Sequence, residues 1–117
     1  DFDIPIIHKL YKFYLDLHKQ TLLFPKPDRY TLGQTCERIT LEILESLFLA
    51  NNELNHSKIP ALKRADLKLK ILKITIRLCY DVKAINLKSY LILESLLQEI
   101  QKMLGGWISW LKRNSTL

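Results

Sequence analysis

Glycine and proline are scarce in this sequence, three and four residues among 117. Sheet proteins use both at their tight turns, so the scarcity favours long helices joined by short loops. Histidine lacks any useful pattern: His8, His18 and His56 stand apart, none four residues from another and none in an H-E-x-x-H run. The spacing rule of metal centres in helical bundles is not met, and neither a metal nor a cofactor is expected. No glycine-rich phosphate loop is present, since Gly105-Gly106 is a bare pair. Serine, cysteine and histidine show no nucleophile-and-base arrangement. Glu42 and Glu45 share a helix face, as glutamates on solvated helices commonly do. No catalytic residue is assigned, and no enzyme is expected.

Long apolar runs are lacking as well. The longest uncharged stretch, Met103 to Leu111, falls far short of the ~20 residues that cross a bilayer. No segment reads as a signal or transit peptide. The only two cysteines, Cys36 and Cys79, have no C-x-x-C spacing and read as small buried hydrophobes rather than a disulfide. That usage fits a reducing, cytoplasmic setting. With 48% hydrophobic and 26% charged residues, the chain is neither disordered nor of low complexity. Residues 1–117 are expected to form a single domain around one core.

What is present is a pattern of four helices. The first is expected over roughly Ile4 to Leu23, capped by Asp3, with Pro5 in its first turn and Ile7, Leu10, Tyr14 and Leu17 as its apolar seam. Phe24-Pro25-Lys26-Pro27-Asp28 ends it. Thr31-Leu32-Gly33-Gln34 has the form of a capping box opening the second helix. Its buried face is Leu32, Cys36, Ile39, Ile43, Leu47, Ala50 and Leu54. Pro60 is expected to open the third helix, which runs to about Ala84. Asn86 caps the fourth, from about Leu87 to Lys112, through Leu93, Leu97, Ile100, Leu104, Trp107 and Leu111. No strand signal competes. The expected fold is all-α, an antiparallel up-down-up-down four-helix bundle.

Acidic residues are nearly missing from one segment. Lys58 to Ile85 holds eight basic residues against Asp66 and Asp81, and the other residues balance at ten and ten, so the whole formal charge of +6 lies there. At 100° per residue, Lys63, Lys70, Lys73, Arg77 and Asp66 fall within about 80° of one another. The carboxylates that would pair with them four residues away are nearly absent. Such a stripe attracts a polyanion, and without interleaved aromatics it would touch phosphates rather than bases. Leu62, Leu69, Leu72, Ile76 and Cys79 form one apolar face of the same helix, and Leu67, Ile71, Ile74, Leu78 and Ile85 a second. The second face is either part of a broad core arc or an interface between copies, of which Leu67, Ile71, Ile74 and Leu78 would be the contact residues. Gly105-Gly106 marks either a kink or helix end, or a close approach of two helices. A membrane-surface role fits poorly, because no Trp or Phe borders the basic stripe.

The run Phe24-Pro25-Lys26-Pro27-Asp28-Arg29-Tyr30-Thr31-Leu32-Gly33 resembles the loop and helix start of the Avd proteins, accessory variability determinants of diversity-generating retroelements. Leu62-Lys63-Arg64-Ala65-Asp66-Leu67-Lys68-Leu69-Lys70, then Arg77-Leu78, and the ending Met103-Leu104-Gly105-Gly106-Trp107-Ile108 are similar too. The resemblance covers Ile6 to Lys112. It implies a four-helix bundle related to proteins encoded in ribosomal-RNA intervening sequences, assembled as a homopentamer. It further implies a basic surface that binds RNA template and reverse transcriptase and supports mutagenic cDNA synthesis without catalysis. DNA or an RNA–DNA hybrid would be further ligands of the same kind. Lys63, Lys70, Lys73 and Arg77 are the nucleic-acid-binding positions that follow. The other branch would be a structural oligomer of the intervening-sequence type, with no transcriptase partner.

Overall fold

The computed structural model describes residues 4–114, the side chain of His56 excepted. Four long helices account for most of them: α1 (Pro5–Thr21), α2 (Gln34–Asn51), α3 (Asn55–Asp81) and α4 (Leu87–Asn114). Among the described residues there is no strand, and the fold is an all-α four-helix bundle. Helix α1 packs on α2 and α4, and α3 on α2 and α4, so chain neighbours are spatial neighbours and the last helix closes on the first. Short connections with that order of contacts make the up-down-up-down bundle. Its Cα envelope measures 51 × 22 × 20 Å, a stout rod.

The apolar seams meet along the axis of this rod. Ile7, Leu10 and Leu17 of α1 are buried with Cys36, Ile39, Ile43, Leu47 and Ala50 of α2. Leu62, Leu69, Leu72, Ile76 and Cys79 of α3 join Leu93, Leu97, Ile100, Leu104 and Leu111 of α4. Each fully buried Leu or Ile stabilises the fold by about 1.5–3 kcal/mol relative to exposure. Phe13 and Ile6 widen the α1 seam beyond its sequence pattern, whereas Tyr14 and Trp107 are half-buried. Leu54 departs from expectation: it is exposed, in extended backbone just before α3.

The corners differ most from the sequence reading. Helix α1 ends at Thr21, and the expected cap Asp3 lies outside the described residues. A short helical stretch, Lys26–Asp28, starts straight after Pro25 and runs through a wide turn, Arg29–Gly33, into α2. Pro27 is tolerated there because a first turn needs no N–H from it. Thr31 is therefore not a cap; its hydroxyl donates back to the Pro27 carbonyl at 2.8 Å. The Arg29 guanidinium donates to the Leu22 carbonyl at 2.9 Å, closing the exposed end of α1. Gly33 is buried against that end, where a Cβ would sit 3.4 Å from Phe24 and Thr21.

Helix α3 starts at Asn55, five residues before Pro60, so the proline lies inside it. Only one short turn precedes Pro60, and its missing N–H interrupts the backbone ladder at a single point. The Lys58 ammonium donates to the Ala50 and Asn51 carbonyls at 2.9 and 3.2 Å, capping the end of α2. Helix α3 stops at Asp81 rather than near Ala84. Lys83 takes φ 67°, Ala84 N–H donates to the Cys79 carbonyl and Lys83 N–H to the Tyr80 carbonyl, the paired bonds of a Schellman terminus. Ile85 thereby folds under the helix end and is buried, which removes it from the second apolar face. Asn86 caps α4 as expected, its side-chain oxygen accepting from Ser89 N–H at 2.8 Å.

Candidate nucleic-acid interface

Helix α3 presents four strips around its circumference. The buried strip centres on Leu69, Leu72 and Ile76. On the α4 side of it comes the basic strip, where Lys63, Lys70 and Arg77 are exposed and Lys73 is half-buried. Next lie Leu67, Ile71, Ile74 and Leu78, all exposed; Leu67 is 59% and Ile74 65% accessible. These side chains are thus outside the core of the bundle, and the reading of a broad core arc is overturned. Arg64 and half-buried Lys68 close the circle on the α2 side, so the apolar strip has cations along both edges.

The cations differ in how they are held. Lys70 pairs with Asp66 at 3.2 Å and Arg77 with Asp81 at 3.0 Å, so partners four residues away exist where few were expected. Both pairs lie at the surface, with Asp66 half-buried and the other three side chains exposed, where an ion pair contributes about 0–1 kcal/mol, too little to keep a cation from another anion. Arg77 is steadied further: its guanidinium lies 5.8 Å from the Tyr80 ring centroid, and Tyr80 stacks on Tyr90. Its Asp81 partner, then Tyr90, favours its charged form. Lys73 donates to Gln101 of α4 at 2.9 Å and stands 3.9 Å from Glu94. Lys68 crosses to Glu42 of α2 at 2.8 Å. Among the described residues, Lys63 and Arg64 have no ion-pair partner.

Between α3 and α4 these side chains edge an open groove of about 500 Å³. Lys70, Lys73 and Asp66 line one wall; Gln98, Gln101, Lys102 and Gly105 line the other. The α4 wall was missed in the sequence, although 98, 101, 102 and 105 repeat at the spacings of one helix face. Gly105 and Gly106 neither end α4, which continues to Asn114, nor admit a neighbouring helix: a Cβ on either would meet nothing within 4 Å. The expectations of a helix end and of a close approach by another helix of the chain therefore fail.

Away from α3, a polar knot joins α1 to α2. The Glu37 carboxylate accepts from the hydroxyls of Tyr14, at 3.1 Å, and Thr21, and lies 2.9 Å from His18 Nδ1. Partial burial alone would raise the Glu37 pKa, but the bonds from Thr21, His18 and Tyr14 together outweigh it and hold the carboxyl below its ordinary range. Burial, then the same Glu37 bond, pushes the Tyr14 phenol up. Cys36 and Cys79 are buried free thiols on α2 and α3 with 3.8 Å between their sulfurs. A Glu-x-x-His stretch occurs once in the sequence, Glu53 to His56, whereas di-metal bundles use it twice, on two helices. No described helix is long and apolar enough to cross a membrane.

The sequence model of one family, described as bAvd-like, matches residues 5–111. No curated protein matches the chain.

Proposed function

The chain belongs to the bAvd-like family of Avd-type accessory proteins, and from that premise we propose that it serves a diversity-generating retroelement by binding RNA template and reverse transcriptase. In this reading it catalyses nothing itself and supports mutagenic cDNA synthesis in the cytoplasm. Copies assemble through Leu67, Ile71, Ile74 and Leu78 into a ring, a pentamer by family resemblance. Assembly brings several basic strips together and multiplies their field. The observation that carries the reading is the concentration of the whole formal charge of +6 in Lys58 to Ile85, with Lys63, Lys70 and Arg77 at the surface. Lys63 is the most available of the four proposed contacts and Lys73 the least.

Fluorescence anisotropy with labelled single-stranded RNA tests this. Four phosphate contacts per subunit give log K against log salt a slope of about −3. Lys63→Glu with Lys70→Glu lowers affinity at least tenfold while the helical circular dichroism stays unchanged. Salt-independent binding, or none at low salt, overturns the reading. A structural oligomer without nucleic acid is the rival, favoured by the ion pairs that Lys68, Lys70 and Arg77 already make. It requires that the purified protein retain no RNA.

A further inference from the structure

We propose that the groove between α3 and α4 is the track of a single RNA strand, its phosphates held by Lys70, Lys73 and Lys102 and its backbone seated against the bare surface of Gly105. The inference rests on the RNA-binding reading and goes beyond it by naming a path and a second helix. Among the described residues that line the groove, three ammonium groups stand against one carboxylate, Asp66, which Lys70 already holds at 3.2 Å, while Glu94 lies 3.9 Å from Lys73. A phosphate chain is the ligand such a lining complements. Gln101 holds Lys73 through its carbonyl oxygen, which leaves its amide N–H groups, with those of Gln98, as neutral donors to phosphate oxygens. Among the described residues no aromatic side chain lines the groove, so no base is stacked and the grip is on the backbone.

The glycines supply the steric half of the argument. Each costs about 1 kcal/mol in a helix interior relative to alanine. Packing within the chain does not account for either one, because a Cβ would point into open space. At Gly105 the absent side chain keeps the groove open and exposes helix backbone to whatever enters. On this proposal one strand lies between the two helices, and a duplex rests only on the outer rims.

Gly105→Leu adds bulk without changing charge, and its higher helix propensity keeps the bundle at least as stable, which a thermal melt checks. With a labelled 20-nucleotide oligouridine at low salt, this variant is expected to bind at least tenfold more weakly. Lys102→Ala is expected to bind about threefold more weakly, with a salt slope reduced by about 0.7. Lys70→Glu reports on the underlying reading. If Lys70→Glu loses affinity while Gly105→Leu and Lys102→Ala bind as wild type does, the track is overturned and the RNA-binding reading stands. If wild type binds no RNA, or Lys70→Glu binds as well as wild type, both fall. A blunt RNA duplex that competes as well as the single strand overturns the track.

Discussion

Lys83 sits at φ 67°, in the left-handed region, as the residue that turns the chain out of α3. An L-residue with a Cβ is less stable there than glycine by roughly 1 kcal/mol. Lys83 is exposed and makes no ion pair among the described residues, so nothing in its side chain offsets that cost. Lys83→Gly is expected to raise the melting temperature by about 4 °C; a lower melting temperature would contradict the account of this turn. The sequence concealed the turn because glycine is its usual mark, and without one Ala84 and Ile85 look like a continuing helix. The opposite holds at Asn86, whose side chain does what its position before an apolar run announces.

At the scale of elements, the α1–α2 corner explains why its residues are so distinctive. Arg29 closes carbonyls at the end of α1, Thr31 bonds back to Pro27, and Gly33 lies against Thr21 and Phe24. The motif is a fastening, and its capping-box appearance was misleading because the threonine lies within a helical turn. Beside it, Glu37 ties three α1 side chains to α2. Its folded pKa is depressed, so its contribution is present above the unfolded pKa and lost as pH falls through the folded one. Glu37→Gln is expected to cost about 1–2 kcal/mol at pH 7. The gap between variant and wild type should close as the pH drops below about 4.5. Urea unfolding across that range reads it, and a gap unchanged down to pH 3 would remove Glu37 from the tie. Knots of this kind bridge two helices, so the periodicity of one helix does not disclose them.

For the whole molecule, the apolar periodicity of the four helices was enough to place the core, because each seam repeats at three and four residues and finds its partner across a short loop. The outer strip of α3 was legible for the same reason, as a second period on one helix. The α4 wall of the groove was not, since its polar residues acquire meaning only beside the lysines of α3. If copies join through the strip, Leu67→Asp or Ile74→Asp is expected to lower the mass measured by light scattering to that of a monomer. As surface changes they should alter the stability of the bundle by no more than about 0.5 kcal/mol. Leu69→Asp, with its carboxylate forced into the core, should unfold it. Wild-type protein that is monomeric at micromolar concentration would rule out the interface.

Cations border that strip on both flanks, Lys63, Lys70 and Arg77 on one and Arg64 with Lys68 on the other. Any apolar contact made in the middle would be fenced by margins of the same sign, even though Lys68, Lys70 and Arg77 each have a carboxylate beside them. Two copies cannot lie face to face in register without crowding like charges; they must slide, tilt, or recruit a counter-ion into the seam. If copies do join through the strip, such a fence favours contact with a differently charged face of the next copy, or contact made together with a polyanion.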